Sequence, residues 1–157
     1  MSNIFKINKK AVFVIYIILD TLLVGIGMGV PFFCILLGFP AGWYIAKRLT
    51  LSKRLANEVL NRILKYAIFT SCVTFAWMLV IWGPISTMLL NNDADFANFG
   101  IPMILYDPKI SFIGWIILMV FISPFLQLII TIFASHVTLQ KLSKKEELKL
   151  KTEVYCP

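Results

Sequence analysis

Asp20 is the one acidic residue inside the long apolar stretches of this sequence, and it follows Lys10 by ten residues. Ten helical residues carry a side chain about 15 Å, which reaches the midplane of a hydrocarbon core about 30 Å thick. An ionised carboxylate at that depth costs about 3 kcal/mol on insertion scales, so it must carry a proton, find a partner or face water. No Lys or Arg sits at the same depth to pair with it. The candidate partners are polar. Ser123, Gln127, Thr131 and Ser135 recur every fourth residue, a spacing that puts all four on one stripe of a helix. Thr70 and Thr74 form a shorter stripe, and Thr74 lies nine residues from Lys65. Thr74, Thr131 and Asp20 therefore fall at similar depth, and Tyr16, one turn before Asp20, shares its helix face. Asp20, Tyr16, Thr74, Gln127 and Thr131 form a candidate proton or cation site. With Ser123 and Ser135, the stripe on the last apolar stretch is a candidate conduit or a seam of hydrogen bonds between helices.

Other reactive residue types form no constellation. Cys34, Cys72 and Cys156 include no C-x-x-C pair, and His136 is the single histidine, so no metal site, disulfide framework or cofactor is expected. Asp93 and Asp95 are too few oxygens for a calcium loop. Gly25, Gly27 and Gly29 have dinucleotide-loop spacing but no strand before them and no acid at the expected distance after them. A nucleophile with its base, a pair of carboxylates and a phosphate-clamping basic cluster are all missing from the apolar stretches, so the expected protein is not an enzyme.

The elements that must position Asp20 and its partners are set by hydropathy. The chain of 157 residues is 59% apolar, with a mean hydropathy of +0.85. Residues 11 to 46, 66 to 90 and 110 to 139 each exceed the length of about 18 residues that marks a transmembrane candidate. The first is too long for one span, since a helix over it would extend roughly 54 Å. Gly25-Ile26-Gly27-Met28-Gly29-Val30-Pro31 supplies a break. The sequence thus predicts an all-α integral membrane protein, one polytopic domain over 1–157, with spans at about 11–28, 31–46, 66–90 and 110–139 arranged as two hairpins. Gly25 with Gly29 and Gly38 with Gly42 have the small-xxx-small spacing of close helix packing, expected within the first hairpin.

Charge fixes the expected orientation. Of 15 Lys and Arg residues, only Lys109 lies away from three clusters, at 6–10, 47–65 and 141–151. The positive-inside rule puts those clusters, and both termini, in the cytoplasm at the cell membrane. Trp43, Tyr44 and Tyr66 then mark inner ends, Trp82 and Trp115 outer ends, while Trp77 packs inside. Asp20 and the length of the first stretch argue against a signal peptide. The net charge of +7 belongs to membrane flanks, which excludes nucleic acid as the expected partner.

Between the second and third spans, residues 47–65 read as a basic amphipathic helix. Leu55, Ala56, Val59, Leu60 and Ile63 share one face, and Lys53, Arg54, Asn57, Asn61 and Lys65 the other. Lys47, Arg48, Lys53 and Arg54 are candidate contacts to anionic headgroups. Residues 91–109 read as an outer loop and 140–157 as a cytoplasmic tail that prolongs the last helix. Two functions fit these features. The favoured one is a non-enzymatic scaffold or accessory subunit of a membrane complex, self-associating or joined to other chains. The alternative is a small proton- or cation-coupled transporter or channel that uses Asp20.

Overall fold

The computed structural model describes residues 9–26, 32–50, 56–91, 94–96 and 106–155. Among them there is no strand. Helix α1 spans Lys9–Ile26, α2 Phe32–Thr50, α3 Ala56–Ser86, α4 Pro108–Ile117 and α5 Ser123–Tyr155. A single 3-10 turn over Thr87–Leu90 closes α3, and a π turn over Leu118–Ile122 joins α4 to α5. By length and composition three stretches are able to cross a membrane: Phe32–Thr50, Glu58–Leu90 and Pro108–Lys145. Helix α1 has 18 residues, about 27 Å of helix, but carries Lys9, Lys10 and Asp20.

Several boundaries differ from the sequence reading. The segment 47–65 is not an independent surface helix: residues 47–50 end α2, and Ala56 onward begins the 31-residue α3. No helix breaker intervenes between Ala56 and Gly83, so the connector runs straight on into the apolar stretch. Its apolar face is also divided. Val59 and Ile63 pack on Leu49, Ile45 and Leu139, whereas Leu60 stays exposed. The last span starts at Pro108 rather than 110, because Asp107 caps it. Its Oδ1 accepts from the backbone N–H of Lys109 at 2.8 Å and of Ile110 at 3.4 Å, and Pro108 occupies the first turn. The tail is helical through Tyr155. Of the expected break over 25–31, Gly25 and Ile26 are still helical; residues 27–31, with Gly29, lie outside the described residues, as do Lys53, Arg54, Asp93 and residues 97–105 of the outer loop.

Pro124 explains the π turn. Proline has no N–H to give to the carbonyl four residues back, and its ring crowds that carbonyl. The chain widens by one residue just ahead of it: the Ser123 N–H bonds to the carbonyl of Leu118, and the Ser123 hydroxyl donates to the same oxygen at 2.8 Å.

The interior is inverted relative to a water-soluble bundle. Asp20, Thr74, Gln127, Thr131 and Ser135 have no exposed surface, while Phe121, Phe125 and Phe133 on α5 and its preceding turn are each more than half exposed. Water would not tolerate so much apolar surface; lipid does. Along the bundle the buried residues fall into three layers. One apolar layer contains Val24, Cys34, Met78, Trp82, Met119 and Val120, with Trp77 packed against it. The layer of Leu49, Val59 and Ile63 lies at the other end. Asp20 and the hydroxyl and amide groups lie between them.

Candidate functional site

The middle layer is built where α1, α2, α3 and α5 meet. The Thr74 hydroxyl of α3 donates to the Asp20 carboxyl, at 3.0 Å from Oδ2 and 3.2 Å from Oδ1. One turn earlier on α1, the Tyr16 hydroxyl donates to the Thr70 carbonyl at 3.3 Å and accepts from Gln127 Nε2 at 2.6 Å. Three helices are thereby joined through one phenol. The Cys34 thiol of α2 points into the same layer and donates to the Asp20 backbone carbonyl at 3.8 Å. One buried polar atom among the described residues has no hydrogen-bond partner: Gln127 Oε1.

The other members of the stripe are turned differently. Thr131 donates to the Gln127 carbonyl at 2.8 Å, within its own helix, and Ser123 is committed to the π turn. Ser135 donates to the Gly42 carbonyl of α2 at 3.0 Å and to its own helix at Thr131. Of the stripe, only Gln127 sends its functional group toward Tyr16 and α1.

Gly38 and Gly42 bring α2 against α5, not against α1. A Cβ at Gly42 would meet the Thr131 carbonyl oxygen at 2.4 Å, and one at Gly38 would meet Thr131 Oγ1 at 3.0 Å. A Cβ at Gly25 would meet nothing within 4 Å, so this glycine marks no close approach. Cys34, Gly38, Gly42 and Ala46 are all buried and recur every fourth residue, forming a ridge of small residues opposite the polar ridge of α5.

Two residues of the layer escaped the sequence reading. Ser71 is buried and donates to the Pro124 carbonyl at 2.7 Å, tying α3 to α5; its position three before Thr74 was the available signal. Cys34 was legible only as a cysteine, although its spacing to Gly38 and Gly42 extends their ridge. Outside the layer, Lys47 Nζ lies 4.5 Å from the centre of the Trp43 ring, and Arg48 Nη1 donates to the Tyr44 hydroxyl at 3.0 Å. His136 is exposed and contacts Gln140. No group of three metal-ligating side chains occurs among the described residues.

Chemically, the layer offers one carboxyl, a hydroxyl that donates to it, a phenol and an amide with one unoccupied acceptor. Such a set can bond helices together or exchange a proton. Comparison with protein-family models, with curated proteins and with solved structures gave no match.

Proposed function

We propose that the chain is a multi-pass membrane protein of four transmembrane helices in two hairpins, with both termini cytoplasmic, and that it serves as a non-enzymatic scaffold or accessory subunit of a membrane complex. The observation that carries this reading is that the polar layer is spent on bonds between helices. Ser135 to Gly42, Ser71 to Pro124, Thr74 to Asp20 and Gln127 to Tyr16 each join different helices. The residues that would line a conduit are closed from solvent, with Asp20, Gln127 and Thr131 having no exposed surface. In lipid, hydrogen bonds of this kind do what apolar contact does in water. The helical extension of α5 through Tyr155 supports a partner-binding role, because the 48 residues of 108–155 form about 72 Å of nearly continuous helix, far beyond a hydrocarbon core of about 30 Å. Its lysines 141, 144 and 145 are exposed there for acidic partners or headgroups.

The alternative, proton- or cation-coupled transport through Asp20, is favoured by one observation: Gln127 Oε1 is buried and without a partner in the same layer. Asp20→Asn distinguishes the two, since an asparagine keeps an acceptor for Thr74 but holds no exchangeable acidic proton. The scaffold reading expects Asp20→Asn protein to fold and assemble like wild type, with neither protein moving cations in liposomes under a pH gradient. Gradient-driven flux in wild type that disappears in Asp20→Asn refutes it.

A further inference from the structure

A cavity of about 460 Å³ lies between α1, α2 and α3, beside the polar layer and sharing Tyr16 and Thr70 with it. Phe13, Leu19, Leu37 and Phe69 form its walls, and Tyr44 and Arg48 stand at one end. From Arg48 to Leu37 the cavity follows 11 residues of α2, about 16 Å. That is roughly half of a hydrocarbon core of about 30 Å, the depth of one leaflet. Ile15, Leu19 and Phe69 on its rim are exposed, so it opens sideways, toward acyl chains rather than toward water. Two of the polar side chains along it, Tyr16 and Thr70, are already engaged. Tyr16 bonds Thr70 and Gln127, and the Thr70 hydroxyl bonds the Ala67 carbonyl. Its walls are mostly apolar side chains, and an apolar cavity of this kind takes apolar guests.

The charged end is specific. Arg48 is half-buried, its guanidinium oriented by the Tyr44 hydroxyl, and Lys47 lies next to it over Trp43. A planar guanidinium at the headgroup level matches phosphate oxygens. We propose that this cavity is a binding site for one anionic phospholipid, an acyl chain lying along Phe13, Leu37 and Phe69 and its headgroup phosphate at Arg48. The bound chain completes the packing of α1 onto the rest of the bundle. The inference rests on the membrane-spanning reading above.

Native mass spectrometry of the full chain in mild detergent tests it, with phosphatidylglycerol and phosphatidylcholine of identical chains as probes. Wild type retains one lipid per chain and prefers phosphatidylglycerol about fivefold, the factor expected of one basic residue at an anionic surface. Arg48→Gln retains one lipid but loses the preference. Ala41→Trp, which projects an indole into the cavity, retains neither lipid. Circular dichroism checks that Ala41→Trp is folded; if it is not, Arg48→Gln decides the matter alone. Equal retention of both lipids by wild type, or an unchanged preference in Arg48→Gln, overturns the site. Displacement of the lipid by glycerol 1-phosphate overturns the acyl-chain part. Alkaline carbonate extraction of the source membranes separates the two levels: protein that stays in the membrane but binds no lipid overturns this site only, whereas protein released by carbonate overturns the spanning reading together with it.

Discussion

Gly42→Ala is the most informative single perturbation of the α2 and α5 contact. The added Cβ would lie 2.4 Å from the Thr131 carbonyl oxygen, 1 Å inside the 3.4 Å at which van der Waals contact becomes ordinary. The obstacle is backbone, so no side chain can swing aside. The Cβ would also sit 3.0 Å from the Ala134 Cβ and 3.1 Å from the Ser135 nitrogen, which blocks a sideways shift. The helices must separate by about an ångström locally, an overpacking cost of about 1–3 kcal/mol. The same movement stretches the 3.0 Å bond from the Ser135 hydroxyl to the Gly42 carbonyl, which removes about 0.6 kcal/mol more on the scale measured for such bonds in membranes. A loss of about 2–4 kcal/mol is therefore expected. Gly38→Ala, whose nearest atoms are at 3.0–3.1 Å and include the ends of two side chains, should lose about 1 kcal/mol. Gly25→Ala meets nothing within 4 Å and should be neutral or slightly stabilising through helix propensity. Unfolding in mixed micelles by added dodecyl sulfate, followed by circular dichroism, measures all three. If Gly42→Ala is as stable as wild type, or Gly25→Ala falls as far as Gly42→Ala, the packing of α2 on α5 is not as described.

Other expectations concern the polar layer and the orientation. Tyr16→Phe strands the Gln127 amide and should cost about 1–3 kcal/mol, whereas Gln127→Leu removes an amide that already has one unpartnered oxygen and should cost less than about 1 kcal/mol. The double variant should recover most of the Tyr16→Phe loss in the same assay, and strict additivity would contradict the Gln127 to Tyr16 bond. Thr74→Val should destabilise by about 1 kcal/mol and Thr74→Ser by much less, since serine retains the hydroxyl that faces Asp20; equal losses would assign the effect to packing instead. Single cysteines at Lys144 and Lys109, in a chain without its native cysteines, should react with an impermeant maleimide from opposite sides of the membrane, and labelling from one side would refute the four-span orientation.

Much of the helical architecture was legible because lipid imposes a length: apolar stretches of the right extent marked α2, α3 and the last span. Depth was legible too. Counting from Lys10 and from Lys65 put Asp20 and Thr74 at one level, and the Thr74 hydroxyl lies 3.0 Å from the carboxyl. What the pattern lacked was partner identity. Small-xxx-small spacing at Gly38 and Gly42 announces a close approach without saying to which helix, and adjacency in the chain suggested α1 where the structure has α5. The connector shows the same limit: an amphipathic face over 56–65 says that one side is covered but not by what, and for Val59 and Ile63 the cover is Leu49, Ile45 and Leu139. The start of the last span was available in Asp107-Pro108, a capping residue followed by a first-turn proline. The π turn was not, since the proline at 124 predicts a disturbance but not its form.

The register of α2 on α5 follows from where its two glycines fall. Apolar contact between helices has no hydrophobic driving force in lipid, so the apolar layers alone do not select one alignment. Nor does the Ser135 bond select strictly, because a hydroxyl can take any backbone carbonyl that comes within reach. Sterics do select. A slip of α2 by one turn in one direction would bring Ala46 to the place of Gly42, where a Cβ lies 2.4 Å from the Thr131 carbonyl. A slip in the other direction would bring Cys34 to the place of Gly38, where even a methyl would sit 3.0 Å from Thr131 Oγ1 and 3.1 Å from Ile130 Cγ2. Only one alignment puts a glycine at both tight points. It is also the alignment in which Cys34 reaches the Asp20 carbonyl, so the position of α1 is tied to the choice made between α2 and α5. A variant that loosens Gly42 should therefore disturb Asp20 as well, although the two residues lie on different helices and share no contact through Gly42 itself.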